Sequence, residues 1–183
     1  TYGILTLMEK EHGVNDKVTN TMIGKNTTTD TKMIDTEMIQ IDPQAINQAQ
    51  IDRAGEILKR GGLVAFPTET VYGLGGDATN PGASKAIYAA KGRPSDNPLI
   101  VHITNLKALE QIVAEVPQAA YTLAEHFWPG PLTMILRKNE VIPYETTGGL
   151  DTVAIRMPSH PAALELIRQS GVYVAAPSAN TSG

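Results

Sequence analysis

Short apolar runs alternate with stretches of helical periodicity along most of the chain. Leu63–Phe66 is an apolar run with the length of a buried strand, and Pro67 ends it because proline has no N–H to donate to a sheet. Asn80 and Pro81 predict the start of a helix, since a capping side chain comes directly before a proline, and Gly92 predicts its end. This alternation favours an α/β fold in which helices pack on a sheet.

The same patterns predict the other elements. Strands are predicted at residues 38–41, 99–101, 132–136, 152–156 and 172–176. Helices are predicted at residues 42–61, after Asn105, at 117–127 and at 160–171. In the helix at 117–127, four apolar side chains recur at helical spacing and are predicted to face the core: Ala120, Leu123, Ala124 and Phe127.

Residues 1–38 show no sustained pattern of this kind. The stretch is rich in threonine, and Asn20, Thr21 and Gly24 weaken the one helical spacing that it contains. We therefore predict two parts, an N-terminal extension of uncertain order at 1–38 and a domain at 39–183.

Composition narrows the class of protein. A chain of 183 residues with 42% hydrophobic content can bury the core of one domain. The net charge of -4 argues against a general nucleic-acid surface, and the absence of cysteine excludes thiol catalysis and fits a cytoplasmic setting. We expect no membrane association, because no apolar run approaches the roughly 20 residues of a bilayer span.

Candidate chemistry gathers in the stretch 62–103. Glycines at 73, 75 and 76 permit close approach of the backbone to a ligand, although they also suit a plain turn. Lys91 and Arg93 offer a point charge and a planar fork for a polyphosphate, although they also suit a solvated helix end. Taken together they predict an anion-binding loop.

Five blocks of sequence carry a family resemblance. In order along the chain they are PTETVYGLG, KGRPSDNPLIVHI, FWPGPLT, VAIRMPSHP and APSANTSG. From about residue 51 to 183 the chain resembles the YrdC-like family of threonylcarbamoyl-AMP synthases. The resemblance implies a twisted mixed sheet with flanking helices around a concave positive cavity. It also implies that the catalytic domain, 39–183, is incomplete at its C-terminus.

The reaction of the family is the expectation for function. ATP, L-threonine and bicarbonate give threonylcarbamoyl-AMP and pyrophosphate, which makes the protein a nucleotidyltransferase that serves tRNA threonylcarbamoyladenosine modification. Fixed cations and Mg²⁺ would stabilise the charge that gathers on the phosphate oxygens. The product would pass to a tRNA threonylcarbamoyl-transfer complex, with at most weak contact to RNA.

The resemblance also assigns roles to residues. Six positions would bind ATP, the first two of them also catalytic: Lys91, Arg93, Asn97, Thr152, Ser178 and Asn180. Four positions would bind L-threonine, the last through its backbone: Thr70, His102, Arg156 and Ala176. No residue is assigned to a metal.

Some of these residues have a second interpretation. Arg156 suits the threonine carboxylate, because a planar guanidinium binds a carboxylate through two hydrogen bonds, but it also suits a structural ion pair with an acid such as Asp151. His102 also suits a hydrogen-bonded histidine at a strand end. Glu69 and Asp77 could be metal ligands or solvated loop acids, and the sequence favours solvated loop acids.

Two other functions are weighed against this enzyme. A carbamoyl-transfer domain of the hydrogenase-maturation type carries zinc fingers, and the absence of cysteine argues against it. An RNA-binding module needs several exposed cations, and the charge balance argues against that.

Overall fold

Eight strands form one mixed sheet in the part of the chain that the structure describes. The structure is a computed structural model, and it describes residues 4–9, 36–92 and 94–180. The strands are β1 (Ile4–Glu9), β2 (Thr36–Ile41), β3 (Leu63–Phe66), β4 (Gly73–Asp77), β5 (Ile100–His102), β6 (Thr133–Arg137), β7 (Thr152–Arg156) and β8 (Val174–Ala176). The helices are α1 (Gln48–Lys59), α2 (Pro81–Lys91), α3 (Leu106–Ile112), α4 (Gln118–Phe127) and α5 (Pro161–Ser170).

The strand order is β2-β1-β3-β4-β8-β5-β7-β6. Strand β1 runs parallel to β2 and β3, and β5 runs parallel to β7. The other pairs, β3–β4, β4–β8, β5–β8 and β6–β7, are antiparallel. The predicted mixed sheet with flanking helices is therefore confirmed, and so is the edge position of the strand predicted at 38–41.

Helix ends follow the capping signals of the sequence. The side-chain oxygen of Asn80 accepts from the backbone N–H of Gly82 at 2.8 Å, and Pro81 occupies the first turn of α2. Gly92 ends this helix with a left-handed backbone, φ 60°, which costs glycine little. Asn105 and Gly171 bound α3 and α5 in the same way, so these predicted ends are confirmed.

Two cores lie on opposite faces of the sheet. Helices α1 and α5 pack together and bury Ile51, Leu58 and Leu166 against strands β1 and β3. Helices α2, α3 and α4 cover the other face, with Ile87 and Leu109 fully buried. Within the described ranges, none of the helices has the length and apolar content that crossing a bilayer requires.

Part of the predicted N-terminal extension belongs to the sheet. Ile4–Glu9 pairs with both β2 and β3, and Leu5 and Leu7 are fully buried in the core under α1 and α5. The boundary between an extension at 1–38 and a domain at 39–183 is therefore wrong for these six residues and for residues 36–38, which belong to β2. The reason is that a six-residue strand in a parallel pair takes its partners from distant sequence, and its own pattern is too short to reveal them.

The glycines at 73, 75 and 76 lie in strand β4 and not in a ligand-binding loop. A β-carbon at Gly75 would come within 2.7 Å of both Phe66 Cε1 and Val174 Cγ1. One at Gly76 would lie 3.2 Å from Ala83 Cβ. The close approach that the glycines permit is thus to neighbouring side chains, and this corrects the proposed approach to a ligand.

Two helix details also differ from the prediction. Helix α1 begins at Gln48, capped by Asn47, and not at Asp42 and Pro43. In α4, Ala120 and Ala124 are buried as predicted, whereas Leu123 is 41% exposed and Phe127 is 55% exposed. The buried stripe of α4 is therefore narrower than its apolar spacing predicts.

Candidate functional site

The candidate site lies on an incompletely covered part of one face of the sheet. Arg156 on β7 is paired with His102 on β5 and with Thr133 on β6, and directly paired residues share a face. The same face continues two residues along each strand, where Ile100 is paired with Ala154 and Ala176. Helices α1 and α5 cover the other half of this face, while Ile135, on the edge strand here, is 68% exposed.

Arg156 is held by the loop at residues 67–72, which joins β3 to β4. Its Nη2 donates to Glu69 Oε1 at 2.6 Å and to Thr70 Oγ1 at 3.0 Å. The second oxygen of Glu69 accepts from the backbone N–H of Ser159 at 3.1 Å. Glu69 thereby links the loop to both the end of β7 and the segment before α5.

The carboxylate of Glu69 is charged in this arrangement. Burial acts to raise the pKa of Glu69, but hydrogen bonds from Arg156 and from backbone N–H groups outweigh it, and the pKa lies below its ordinary value. The solvated loop acid that we favoured for Glu69 is therefore wrong. The second interpretation of Arg156, a structural ion pair with an acid, is confirmed, but the acid is Glu69 and not Asp151, which accepts from Tyr144.

Two nitrogens of Arg156, Nε and Nη1, form no hydrogen bond with the described residues. The side chain is only 9% exposed, and its Nε is buried without a hydrogen bond. A buried donor that lacks an acceptor is costly. Because Nε is closed to solvent and Nη1 is not, the arrangement favours a ligand oxygen at Nη1.

His102 is buried beside Arg156. Its Nδ1 lies 3.0 Å from the carbonyl oxygen of Ile100, and its ring meets that of Phe66 edge-on at 5.9 Å between centroids. Burial, together with the charge of Arg156, lowers the pKa of His102 to about 4. The imidazole is therefore neutral at pH 7 and adds no charge to the site. This packing fits a hydrogen-bonded strand-end histidine, and contact with threonine stays a prediction.

A second group of predicted residues meets at the end of β8. The Nζ of Lys91 donates to the carbonyl oxygens of Ser178 and Asn180, and Ser178 forms a β-bridge with Gly73. Lys91 is buried, although the sequence alone presents it as an exposed helix end. Three of the predicted ATP-binding residues are thus in contact.

Three predicted ATP-binding residues remain: Asn97, Thr152 and Arg93. Asn97 is exposed, and its carbonyl oxygen accepts from Tyr88 at 2.9 Å. Thr152 begins β7 on the same face as Arg156 and is paired with Arg137. Arg93 lies outside the described residues.

Asp77, the other acid considered as a metal ligand, closes a turn. Its Oδ1 accepts from both the N–H and the hydroxyl of Thr79, at 2.9 and 2.8 Å. Within the described ranges, no three His, Asp or Glu side chains come together in a way that would hold a metal ion.

An open depression of about 710 Å³ lies beside the far end of β6. Its lining includes Arg137, Lys138, Tyr144 and Asp151. It contains none of the predicted site residues and meets the candidate site only at Arg137, across from Thr152. We therefore place the candidate site at Arg156 and His102 and not in this depression.

The sequence of the chain matches a family profile described as telomere recombination, that of the Sua5, YciO and YrdC proteins, over residues 56–183. The chain belongs to this family. The five blocks that carried the resemblance lie in the matched region, so the recognition made from them is confirmed.

Relatives within the family are named as synthases. The threonylcarbamoyl-AMP synthase of Pyrococcus abyssi is 55% identical over 140 residues, which cover 76% of this chain and 41% of that protein. The synthase of Bacillus subtilis is 56% identical over 143 residues, which cover 78% of this chain and 41% of that protein. The chain thus spans about two fifths of the length of these relatives.

Solved structures support the fold. The crystal structure of P. abyssi Sua5 complexed with L-threonine superposes with a TM-score of 0.75 at 55% identity, over 76% of this chain and 41% of that one. T. kodakarensis HypF shares the fold with a TM-score of 0.64 at 22% identity, over 76% of this chain and 18% of that one. At that identity the likeness to HypF concerns the fold alone.

Proposed function

We propose that the protein is a threonylcarbamoyl-AMP synthase, which converts ATP, L-threonine and bicarbonate into threonylcarbamoyl-AMP and pyrophosphate. The observation that carries the proposal is the buried Arg156, whose guanidinium keeps Nη1 open to a ligand beside Thr70 and the neutral His102. A relative that is 55% identical is described in complex with L-threonine, which agrees with an amino-acid site on this face.

In this proposal Arg156 orients the amino acid. Its Nη1 donates to the carboxylate of threonine, while Thr70 and the backbone of Ala176 lie beside the rest of the molecule. His102 offers a hydrogen bond without a charge that would compete with Arg156 for the carboxylate. Fixing the amino acid in one orientation removes translational and rotational freedom before any bond forms.

The chemistry then needs the nucleotide beside the amino acid. The amine of threonine, after losing a proton, attacks carbon dioxide derived from bicarbonate, and a carbamate forms. A carbamate oxygen attacks the α-phosphorus of ATP, and pyrophosphate leaves with the electrons of the broken P–O bond. We assign the nucleotide to Lys91, Arg93, Asn97, Thr152, Ser178 and Asn180, as the resemblance implies.

The buried Lys91 contributes through the loop that it holds. By donating to the carbonyl oxygens of Ser178 and Asn180, it ties the end of α2 to the residues after β8. The hydroxyl of Ser178 is then available for a phosphate or ribose oxygen. Lys91 thus both orders this loop and supplies a positive charge behind it.

Mg²⁺ would neutralise charge on the phosphates of ATP during the transfer. In the described part of the chain no cluster of carboxylates and histidines suits a cage of protein ligands, and Mg²⁺ commonly binds through phosphate oxygens and water. We therefore propose that the metal enters with the nucleotide. The product would serve a tRNA-modifying enzyme complex in the cytoplasm.

Pyrophosphate release from ATP tests the proposal. The full-length protein is incubated with ATP and Mg²⁺, and release is measured with and without L-threonine and with and without bicarbonate. We expect release only when both are present. Equal release in their absence would contradict the proposal, and turnover of carbamoyl phosphate without threonine would favour a carbamoyl-transfer function instead.

A further inference from the structure

The guanidinium of Arg156 is already partly occupied by the protein. Its Nη2 carries two hydrogens, and they go to Glu69 and Thr70. A ligand carboxylate must therefore accept from the remaining atoms of the same guanidinium, above all from Nη1, because Nε is closed to solvent. It then lies within a few ångströms of the carboxylate of Glu69.

Two carboxylates on one guanidinium repel each other. Among the described residues in contact with Arg156, Glu69 brings one negative charge that cancels the positive charge of Arg156. His102, the next titratable neighbour on the sheet, contributes none at pH 7. The pocket around Arg156 is therefore close to neutral before any ligand arrives, and an added anion would leave it with an uncompensated negative charge.

Glu69 still has room to accept further hydrogen bonds. A carboxylate offers about four acceptor positions, and bonds from Arg156, from Ser159 and from its own backbone N–H use three of them. Its side chain is 20% exposed, so a ligand can reach it. A cationic group placed there would restore the charge balance that the carboxylate of the ligand disturbs.

We propose that Glu69 determines the specificity of this pocket for zwitterions: Arg156 binds the carboxylate of an α-amino acid, and Glu69 receives its ammonium group. Simple carboxylic acids are excluded because they bring a negative charge without a positive one. The inference rests on the proposed function, since it takes the amino acid to bind at Arg156, and it adds the group that rejects amine-free analogues.

Three ligands test the contributions of the carboxylate and the ammonium group separately. L-threonine carries both, 3-hydroxybutyrate lacks the amine, and threoninol lacks the carboxylate. Binding of each is measured by calorimetry to the full-length wild-type protein and to Glu69→Gln, which keeps the shape and one acceptor oxygen but removes the charge. Glu165→Gln is the matched control, because Glu165 forms an ion pair with Arg168 within helix α5.

The expected changes in affinity differ between ligands that carry the amine and the one that lacks it. In Glu69→Gln the affinity for L-threonine and for threoninol should fall about tenfold, as for loss of a charge-assisted hydrogen bond. The affinity for 3-hydroxybutyrate should rise or stay unchanged, so the preference for threonine over it falls at least about tenfold. Glu165→Gln should leave all three affinities as they are.

Distinct results overturn the inference and the proposed function. If Glu69→Gln weakens all three ligands by the same factor, Glu69 is only structural and the inference is wrong, although threonine binding to the wild type still supports the synthase. If the wild type binds no L-threonine, both the inference and the proposed function are wrong. Should Glu69→Gln fail to fold, the wild type alone decides, because 3-hydroxybutyrate that binds as tightly as L-threonine would overturn the inference.

Discussion

Arg156 and Glu69 are 87 residues apart in sequence, and their contact defines the candidate site at the scale of single residues. The ion pair is mostly buried, so neither charge is well solvated, and each depends on the other. Around it, Thr70 and the neutral His102 add hydrogen-bonding groups without net charge. Removing either partner alone should therefore cost stability as well as binding, because it leaves the other charge buried without its partner.

The first prediction divides the site between its two arginines. In the full-length protein, Arg156→Ala should weaken L-threonine binding about ten- to a hundredfold and leave ATP binding nearly unchanged, because one charge-assisted contact is lost. Arg93→Ala should do the reverse, since its place after the end of α2 suits phosphates. Calorimetric titration of each ligand into each folded variant measures this. Equal loss of both ligands in both variants would contradict the division.

The second prediction concerns Gly75, where side chains of two other strands leave no space for a β-carbon. Gly75→Ala would bring Cβ within 2.7 Å of Phe66 and Val174, and it should lower the free energy of unfolding by about 1–3 kcal/mol. Urea unfolding measures the change. The loss should shrink in a Val174→Ala background, where one clash is relieved. An unchanged loss there would show that the contact with Val174 is not the cause.

At the scale of elements, strand β1 joins the sheet between β2 and β3. Its apolar side chains alternate in burial, with Leu5 and Leu7 fully buried and Met8 37% exposed. At the end of β1, the carboxylate of Glu9 lies 2.8 Å from His160 Nε2. The backbone N–H of Glu9 donates to the hydroxyl of Tyr72. Tyr72 belongs to the loop that holds Arg156, so β1 supports that loop from outside the site.

The third prediction tests whether β1 is integral to the domain. Leu5→Ala should lower the free energy of unfolding by about 2–5 kcal/mol, because it removes a fully buried side chain and leaves a cavity. Met8→Ala, in the same strand but partly exposed, is the matched control and should cost far less. Urea unfolding of the two variants compares them. Equal and small losses would mean that β1 does not pack as described.

At the scale of the whole molecule, the stability of the domain is linked to pH through the buried His102. Its pKa is lowered to about 4 in the folded protein, whereas an unfolded histidine titrates near 6.5. Between these values the unfolded chain binds the proton and the folded chain does not. Acid therefore favours unfolding, and stability is lost as the pH falls from about 6.5 to about 4.

The fourth prediction gives this linkage a size. The shift of His102 should remove up to about 3 kcal/mol of stability between pH 7 and pH 4. In His102→Gln this component is absent, so the free energy of unfolding should fall less steeply with acid. Urea unfolding at several pH values measures both slopes, with His126→Gln, an exposed histidine, as control. Identical slopes in the wild type and His102→Gln would refute the assignment.

The sequence by itself determined what depends on neighbouring residues. Asn80, Pro81 and Gly92 bound helix α2 because caps and left-handed ends act within one turn. Apolar runs such as Leu63–Phe66 marked buried strands because a strand covered on both faces has no polar side. The five blocks that carry the family resemblance named residues that do meet, among them Thr70 with Arg156 and Lys91 with Ser178.

Only the tertiary structure decided what depends on distant pairing. In sequence, the glycines of β4 resemble a ligand-binding loop. In the structure, Phe66 of β3 and Val174 of β8 leave no space for a side chain at Gly75. Glu69 looks like a solvated acid until the sheet brings Arg156 against it. Cross-strand order and charge pairing arise from contacts between segments far apart in the chain, so local pattern carries no record of them.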